Sequence, residues 1–173
     1  MRRVILPIFL AVLVSVVLTC NALAQDNEAS ASATCNFDEQ KQLVVQYQPF
    51  ALNPKKSLSA QVPFGKVWAP GGKPISLFVN APVQVGSHML PIGAYTLFII
   101  PTSKQWTLIV SKSTDMSGAY SEQQDLVRVP MDSGELPHPE ASLGVGLEHA
   151  GPSQCNLRLD LDKSGHFATF QER

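Results

Sequence analysis

The residues best suited to chemistry form the stretch Asp160-Leu161-Asp162-Lys163-Ser164-Gly165. It matches the opening of a calcium loop, in which carboxylates at alternate positions converge on a hard cation and a glycine allows a sharp turn. The twelfth position of such a loop is a bidentate glutamate, but this chain has Gln171 there and Glu172 one place late. The flanking residues alternate as strands do. We therefore predict a hairpin turn between Cys155–Leu161 and His166–Phe170, with the aspartates facing solvent, and no metal.

The histidines do not form a local metal or catalytic motif. None lies within four residues of another, and each lies in or beside a predicted loop: His88, His138, His149 and His166. The chain has no G-x-S-x-G nucleophile elbow and no phosphate-binding Gly-x-x-x-x-Gly-Lys-Ser/Thr. We therefore predict no catalytic residue and no cofactor. A hydrolase site assembled from a distant serine, histidine and carboxylate remains an alternative, because sequence does not show such convergence.

A tryptophan beside a glycine-containing turn offers a different chemistry, the stacking of an aromatic ring on a sugar. Trp68 precedes the loop Pro70–Pro74, and the candidate ligand-binding residues are Trp68, Gly71 and Lys73. The competing interpretation is structural, because aromatics next to strand-like runs usually pack in the core. We expect Trp68 and Trp106 to be core residues, and a glycan- or small-ligand-binding module is the alternative.

The N-terminus has the order of a secretory signal peptide. Arg2 and Arg3 precede an uncharged apolar run over residues 4–18, and Ala22-Leu23-Ala24 supplies the small residues of a cleavage site. We predict cleavage after Ala24, export to the periplasm or the extracellular space, and no stable membrane span afterwards. A retained anchor is one alternative. Lipidation at Cys20 is another, although Val17 and Thr19 do not fit the usual lipoprotein pattern.

Export bears on the cysteines, of which the chain has three. Cys20 lies in the signal segment, so the mature chain keeps Cys35 and Cys155. Two cysteines in an oxidising compartment usually pair, and the C-x-x-C spacing of metal or redox sites is missing. We predict a structural disulfide between Cys35 and Cys155.

Length and charge limit the remaining possibilities. Removal of residues 1–24 leaves about 149 residues, enough for one domain with its own core. The mature chain has a formal charge of about −3 and no basic cluster, which argues against nucleic-acid binding. Residues 25–34 are small and polar, and we predict that they form a disordered leader to a single domain over residues 35–173.

Alternation with period two predicts an all-β domain. Hydrophobic and polar residues alternate in five runs, which predicts strands with one buried and one solvated face: around Leu43–Tyr47, Ile75–Val79, Val127–Val129, Leu143–Leu147 and Cys155–Leu161. Two segments are more continuously apolar, Tyr95–Ile100 and Trp106–Val110, and these suit central strands covered on both faces. About nine short, mostly antiparallel strands predict a β-sandwich or a flattened barrel.

Three blocks resemble a bacterial exported family, domain of unknown function 2911. They are Val62-Pro63-Phe64-Gly65-Lys66-Val67-Trp68, then Leu90–Pro101 with Trp106–Val110, and finally Gly118-Ala119-Tyr120 with Asp125-Leu126-Val127-Arg128-Val129. The resemblance covers roughly residues 43–170 and implies an exported, sandwich-like domain whose activity is not established. The family usually continues Arg-Thr-Gly-Ala-Asn-Glu after the tryptophan, whereas this chain has Ala69–Pro74. A ligand site built on those family residues is therefore in doubt, and the chain looks like a divergent member.

These observations favour a non-enzymatic exported domain that binds an unknown protein or glycan partner or supports the cell envelope. Charged residues make up 16% of the chain, which leaves few ionisable groups to converge in one site. The two alternatives are the glycan- or small-ligand-binding module and the hydrolase.

Overall fold

The computed structural model describes residues 30–173. The predicted signal segment 1–24 lies outside the described residues. Within them the chain forms ten β-strands: β1 Ala31–Asn36, β2 Gln42–Tyr47, β3 Ile75–Val79, β4 Val83–Val85, β5 His88–Leu90, β6 Gly93–Ile100, β7 Thr107–Ser111, β8 Asp125–Pro130, β9 Asp132–Gly151 and β10 Gln154–Glu172. Three single-turn 3₁₀ helices lie between them: Leu58–Ala60, Pro70–Gly72 and Glu122–Gln124. No helix in residues 30–173 has the length and apolarity needed to cross a membrane.

The strands form two antiparallel sheets that enclose one core. The larger sheet has the order β1-β2-β3-β6-β7-β8, and the smaller has the order β5-β4-β10-β9. Inward side chains from both sheets make a single hydrophobic cluster, with Leu43, Leu97 and Leu159 among its fully buried members. The sheets do not close into a barrel. The predicted all-β sandwich is therefore confirmed.

The two continuously apolar segments, Tyr95–Ile100 and Trp106–Val110, were predicted to form central strands, and this is confirmed. Strands β6 and β7 lie inside the larger sheet, and both of their faces are buried. On the face away from the core, the loop between β7 and β8 covers them. Phe98 contacts Tyr120 edge to face at 5.2 Å, and Thr96 donates a hydrogen bond to the Ser113 carbonyl. Continuous hydrophobicity in these strands thus reflects burial on both sides.

The predicted leader is wrong for part of its length. Residues from Ala31 onward pair with β2 in register, with Ala33 opposite Val45 and Cys35 opposite Leu43. Alanine and serine give β1 little hydrophobic contrast between its faces, so alternation did not identify the strand. Pairing with β2 nonetheless holds it on the larger sheet, and the disulfide ties it to β10 of the smaller sheet.

The predicted hairpin turn over Asp160–Gly165 is also wrong, because β10 runs through it without reversing. Asp162 adopts the left-handed conformation, with φ of 52°, and the pairing with β9 shifts on both sides of it. Five residues of β10, from Asp160 to Ser164, face ten residues of β9, from Gly144 to Glu135. Such β-bulges bend a strand and redirect its side chains.

Candidate functional site

The bulge decides which side chains of β10 face inward. Before it, odd-numbered residues such as Leu159 and Leu161 are buried in the core. After it, even-numbered residues such as His166 and Phe170 are buried instead. One residue in a left-handed conformation therefore reverses the alternation, and this brings Ser164 and His166 to the inner face.

Ser164 and His166 line a cavity of about 460 Å³ that we call the His166 pocket. Its apolar walls include Leu58, Phe64, Trp106 and Leu161. Lys104 and Glu135 add a positive and a negative charge to the lining. The loop between β6 and β7, the segment before β3 and the β9–β10 hairpin all contribute, so the pocket joins residues that are distant in sequence.

A row of aromatic rings supports the pocket from the core. Phe50 meets Trp68 edge to face at 5.3 Å between ring centroids, and Trp68 meets Trp106 in the same way at 6.3 Å. The imidazole of His166 stacks on Trp106 at 4.0 Å with an interplanar angle of 9°. Edge-to-face pairs add stability beyond the area they bury. The row therefore fixes the plane of the histidine ring.

His166 is uncharged at neutral pH. Only 6% of the residue is exposed, and burial lowers the pKa of its imidazole from 6.5 to about 4, while the nearby Asp160 carboxylate opposes that shift. Its Nε2 atom lies 3.1 Å from Ser164 Oγ. Its Nδ1 atom is buried without a hydrogen-bond partner among the described residues. The pair can therefore act as a neutral donor and acceptor, but no carboxylate orients the ring.

The pKa of His166 predicts a loss of stability in acid. The unfolded chain takes up a proton near pH 6.5 and the folded chain only near pH 4, so this contribution is complete above pH 6.5 and is lost as the pH falls toward 4. The shift corresponds to roughly 3 kcal/mol of unfolding free energy. Urea denaturation at pH 7.5 and 4.5 should show a larger drop for the wild type than for His166→Phe. Equal drops in the two proteins would contradict a neutral buried histidine.

A glycine is needed at position 165, between Ser164 and His166, because a side chain there would clash with neighbouring residues of β10. A Cβ atom at this position would lie 2.5 Å from Asp160 Oδ1 and 3.3 Å from Arg158 Nη2. Arg158 holds Asp160 there, with Nη2 3.2 Å from Oδ1. The aspartate of the calcium-like motif is thus engaged with an arginine on the outer face.

The three residues predicted to bind a ligand do not line one pocket together. Trp68 is 8% exposed and packs in the core, as its structural interpretation predicted. Lys73 lines a separate, shallow depression with Tyr47 and Met116. Gly71 is exposed, with φ of 71°, next to the side chain of Gln48. Ligand binding by Trp68, Gly71 and Lys73 stays a prediction.

The Cys35–Cys155 disulfide is confirmed. The bond joins β1 of the larger sheet to β10 of the smaller sheet, with the two Cα atoms 6.2 Å apart. It therefore links the two layers of the sandwich directly. His149 lies beside it, and the other histidines, His88 and His138, lie apart from the His166 pocket lining.

The third sequence block folds into a hydrogen-bonded cluster on the outer face of the larger sheet. Tyr120 donates to Asp125 Oδ2 at 2.6 Å, and Arg128 donates from Nε to the same oxygen at 2.9 Å. Arg128 also contacts Glu122 at 3.0 Å. Gly118, two residues before Tyr120, allows the backbone to pass close to the Gly72 carbonyl oxygen, because a Cβ atom there would lie 2.5 Å from that oxygen. The cluster fastens the loop that covers β6 and β7.

Comparison with known proteins identifies the family. The family model described as "Protein of unknown function (DUF2911)" matches residues 28–167. The chain belongs to the DUF2911 family. Neither the curated proteins nor the solved structures contain a match to it.

Membership in DUF2911 confirms the resemblance inferred from the three sequence blocks. In this DUF2911 chain the blocks build different parts of the sandwich: the core around Trp68, the central strands β6 and β7, and the cluster around Arg128. They therefore account mainly for the fold. Sequence reasoning missed the His166 pocket. It placed Ser164 in a hairpin turn and His166 at the start of the strand after that turn.

Proposed function

We propose that this chain is an exported, non-enzymatic domain that binds a small ligand in the His166 pocket. The observation that carries the proposal is the pocket itself. Its volume of about 460 Å³ falls within the usual range for small-molecule sites, about 300–1,000 Å³. Such sites combine apolar walls with a few polar groups, as Phe64 and Leu161 do here with Ser164 and Lys104.

Two features support the exported part of the proposal. The signal-like order of residues 1–24 directs a chain to the secretory route. The disulfide between Cys35 and Cys155 is stable in an oxidising compartment and unusual in a reducing one. A binding role in the cell envelope is consistent with both.

The pocket favours a ligand with an apolar body and a small polar end. Phe64 is 37% exposed and lines the cavity, whereas Trp68 is covered by Phe50 and Trp106. A ligand would therefore contact Phe64 rather than stack on Trp68. The neutral pair of Ser164 and His166 would accept or donate a hydrogen bond at the inner end.

We expect Phe64→Ala to weaken binding of the amphiphilic dye 1-anilinonaphthalene-8-sulfonate by about tenfold or more, because an apolar side chain contributes roughly 1.5–3 kcal/mol when buried. The measurement is a fluorescence titration of the purified chain. Phe78→Ala is the matched control, since Phe78 is 41% exposed and lies outside the pocket lining. Equal binding by both variants would show that the dye does not use the pocket, and it would count against the proposal.

A serine hydrolase is the second candidate, and the 3.1 Å contact between Ser164 Oγ and His166 Nε2 is the observation that favours it. It ranks second because the histidine is a weak base, with a pKa of about 4, and no carboxylate binds Nδ1. A fluorophosphonate probe separates the candidates. Labelling of the wild type that is lost in Ser164→Ala would establish the hydrolase instead.

A further inference from the structure

Another group of metal-ligating side chains surrounds the disulfide. The sulfur atoms of Cys35 and Cys155 and a ring nitrogen of His149 all lie within 4.8 Å of one another. The cysteines are buried, with 4% and 0% of their surface exposed, and His149 is exposed. We propose that reduction of the Cys35–Cys155 bond turns this cluster into a binding site for a thiophilic metal cation, with monovalent copper as the preferred ion.

The backbone holds His149 in place for this role. His149 lies directly opposite Cys155 in the pairing of β9 with β10. Its Nδ1 atom lies 3.1 Å from the carbonyl oxygen of Asn36, the residue after Cys35. His149, a residue of β9, therefore contacts β1 through its imidazole and pairs with β10, beside both sulfur atoms.

The contact with Asn36 also sets the tautomer of His149. A carbonyl oxygen only accepts hydrogen bonds, so Nδ1 carries the proton and Nε2 keeps its lone pair in the neutral ring. Metal-binding histidines commonly donate their second ring N–H to a carbonyl in this way, which fixes the ring and raises its basicity. Nε2 is thus the ring nitrogen whose lone pair is available to a metal.

The chemistry requires a reductant, which we identify as a dithiol. Two electrons from the dithiol cleave the S–S bond, and its two protons pass to the released sulfurs, so the products are two cysteine thiols and an oxidised dithiol. Metal binding then displaces the two thiol protons. Two thiolates and an imidazole form a soft ligand set that suits Cu(I). Zn²⁺ would need a fourth ligand, which water can supply on the exposed side of His149.

Bound copper would take over the mechanical role of the disulfide. The bond joins β1 to β10 across the two sheets, and a metal held by both sulfurs would restore that link. The reduced chain should therefore regain stability when it binds metal. If the two cysteines serve only to form the disulfide, the reduced chain should not regain stability when metal is added.

The test is a Cu(I) titration of the purified chain under anaerobic conditions, with bicinchoninate as competitor. The oxidised chain should bind no copper, and the chain reduced with dithiothreitol and freed of it should bind one equivalent. His149→Ala should weaken that binding by at least about tenfold, the lower limit of what loss of even an outer partner of a metal site costs. His138→Ala is the control, because His138 is an exposed histidine of β9 outside the cluster. It should leave binding unchanged.

Either of two results of the copper titration would overturn the proposal. One is failure of the reduced chain to bind copper, and the other is equal affinity in His149→Ala and the wild type, which would indicate two thiols without a built site. If reduction destabilises the chain, the melting temperature decides: Cu(I) should raise it in the reduced wild type but not in the Cys35→Ala/Cys155→Ala variant. No rise in the wild type would refute the site. A parallel Zn²⁺ titration should give weaker binding than Cu(I), and tighter binding would contradict the preference for copper.

Discussion

Replacing both Cys35 and Cys155 with alanine should lower the free energy of unfolding by about 2–5 kcal/mol. The bond spans 120 residues, and a loop of that length restricts the unfolded chain strongly. The chain-entropy model gives a value near the upper end of the range for such a loop. The bond also ties β1, which has little hydrophobic surface of its own, to the smaller sheet. Urea denaturation of the oxidised wild type and the double variant measures the difference.

The reduced wild type is the matched control for the double variant. It keeps the sulfur atoms in the core but lacks the cross-link, so its stability should fall close to that of the variant. A loss below about 1 kcal/mol in both proteins would show that the unfolded chain is not restricted by the bond. A loss in the variant alone would point to packing of the buried sulfurs instead.

Trp68→Ala should cost about 3–5 kcal/mol of stability, the usual range for truncating a buried aromatic side chain. Trp68 is 8% exposed and stands between Phe50 and Trp106 in the aromatic row. Its backbone also exchanges two hydrogen bonds with Ile99, at 2.7 and 3.0 Å. Removing the ring leaves a cavity behind the His166 pocket. Thermal and urea denaturation of the variant measure the cost.

Phe78→Ala serves as the control for the tryptophan variant. Phe78 is 41% exposed on the outer face of β3, so its loss should change stability by no more than about 0.5 kcal/mol. A Trp68→Ala protein that keeps its melting temperature but loses binding to a glycan would reject the structural role of Trp68. It would favour the ligand-binding alternative for Trp68, Gly71 and Lys73.

Sequence patterns predicted the strands wherever burial differs between their two faces. Leu43 and Val45 stand at alternate positions and have no exposed surface, whereas Val44 between them is half-buried, and β2 was predicted from this alternation. The disulfide was predicted from the count of cysteines in an exported chain. Spacing alone gave no indication that Cys35 and Cys155 meet across the two sheets. These predictions depend on local pattern and composition, which the sequence carries directly.

The errors and omissions arise where a local signal has two structural meanings. Asp162 and Gly165 are typical turn residues, yet a left-handed residue serves a bulge in a continuous strand equally well. The His166 pocket depends on Phe64, Trp106 and His166 lining one cavity, although they are far apart in the chain. No periodicity reports such contacts. The site was therefore missed, although Phe64, Trp106 and His166 each lay in a segment that had been considered.

The left-handed residue Asp162 shifts the inward–outward alternation of side chains along β10 by one position. Deleting one residue there would invert every position from Ser164 to Phe170, since successive side chains of a strand point to opposite faces. His166 would turn to solvent, and Gly165 and Phe167 would take the inner face. The number of residues between Leu161 and Phe170 therefore decides which of their side chains face the pocket. Two relatives with the same histidine but a segment that differs in length by one residue would have different pockets.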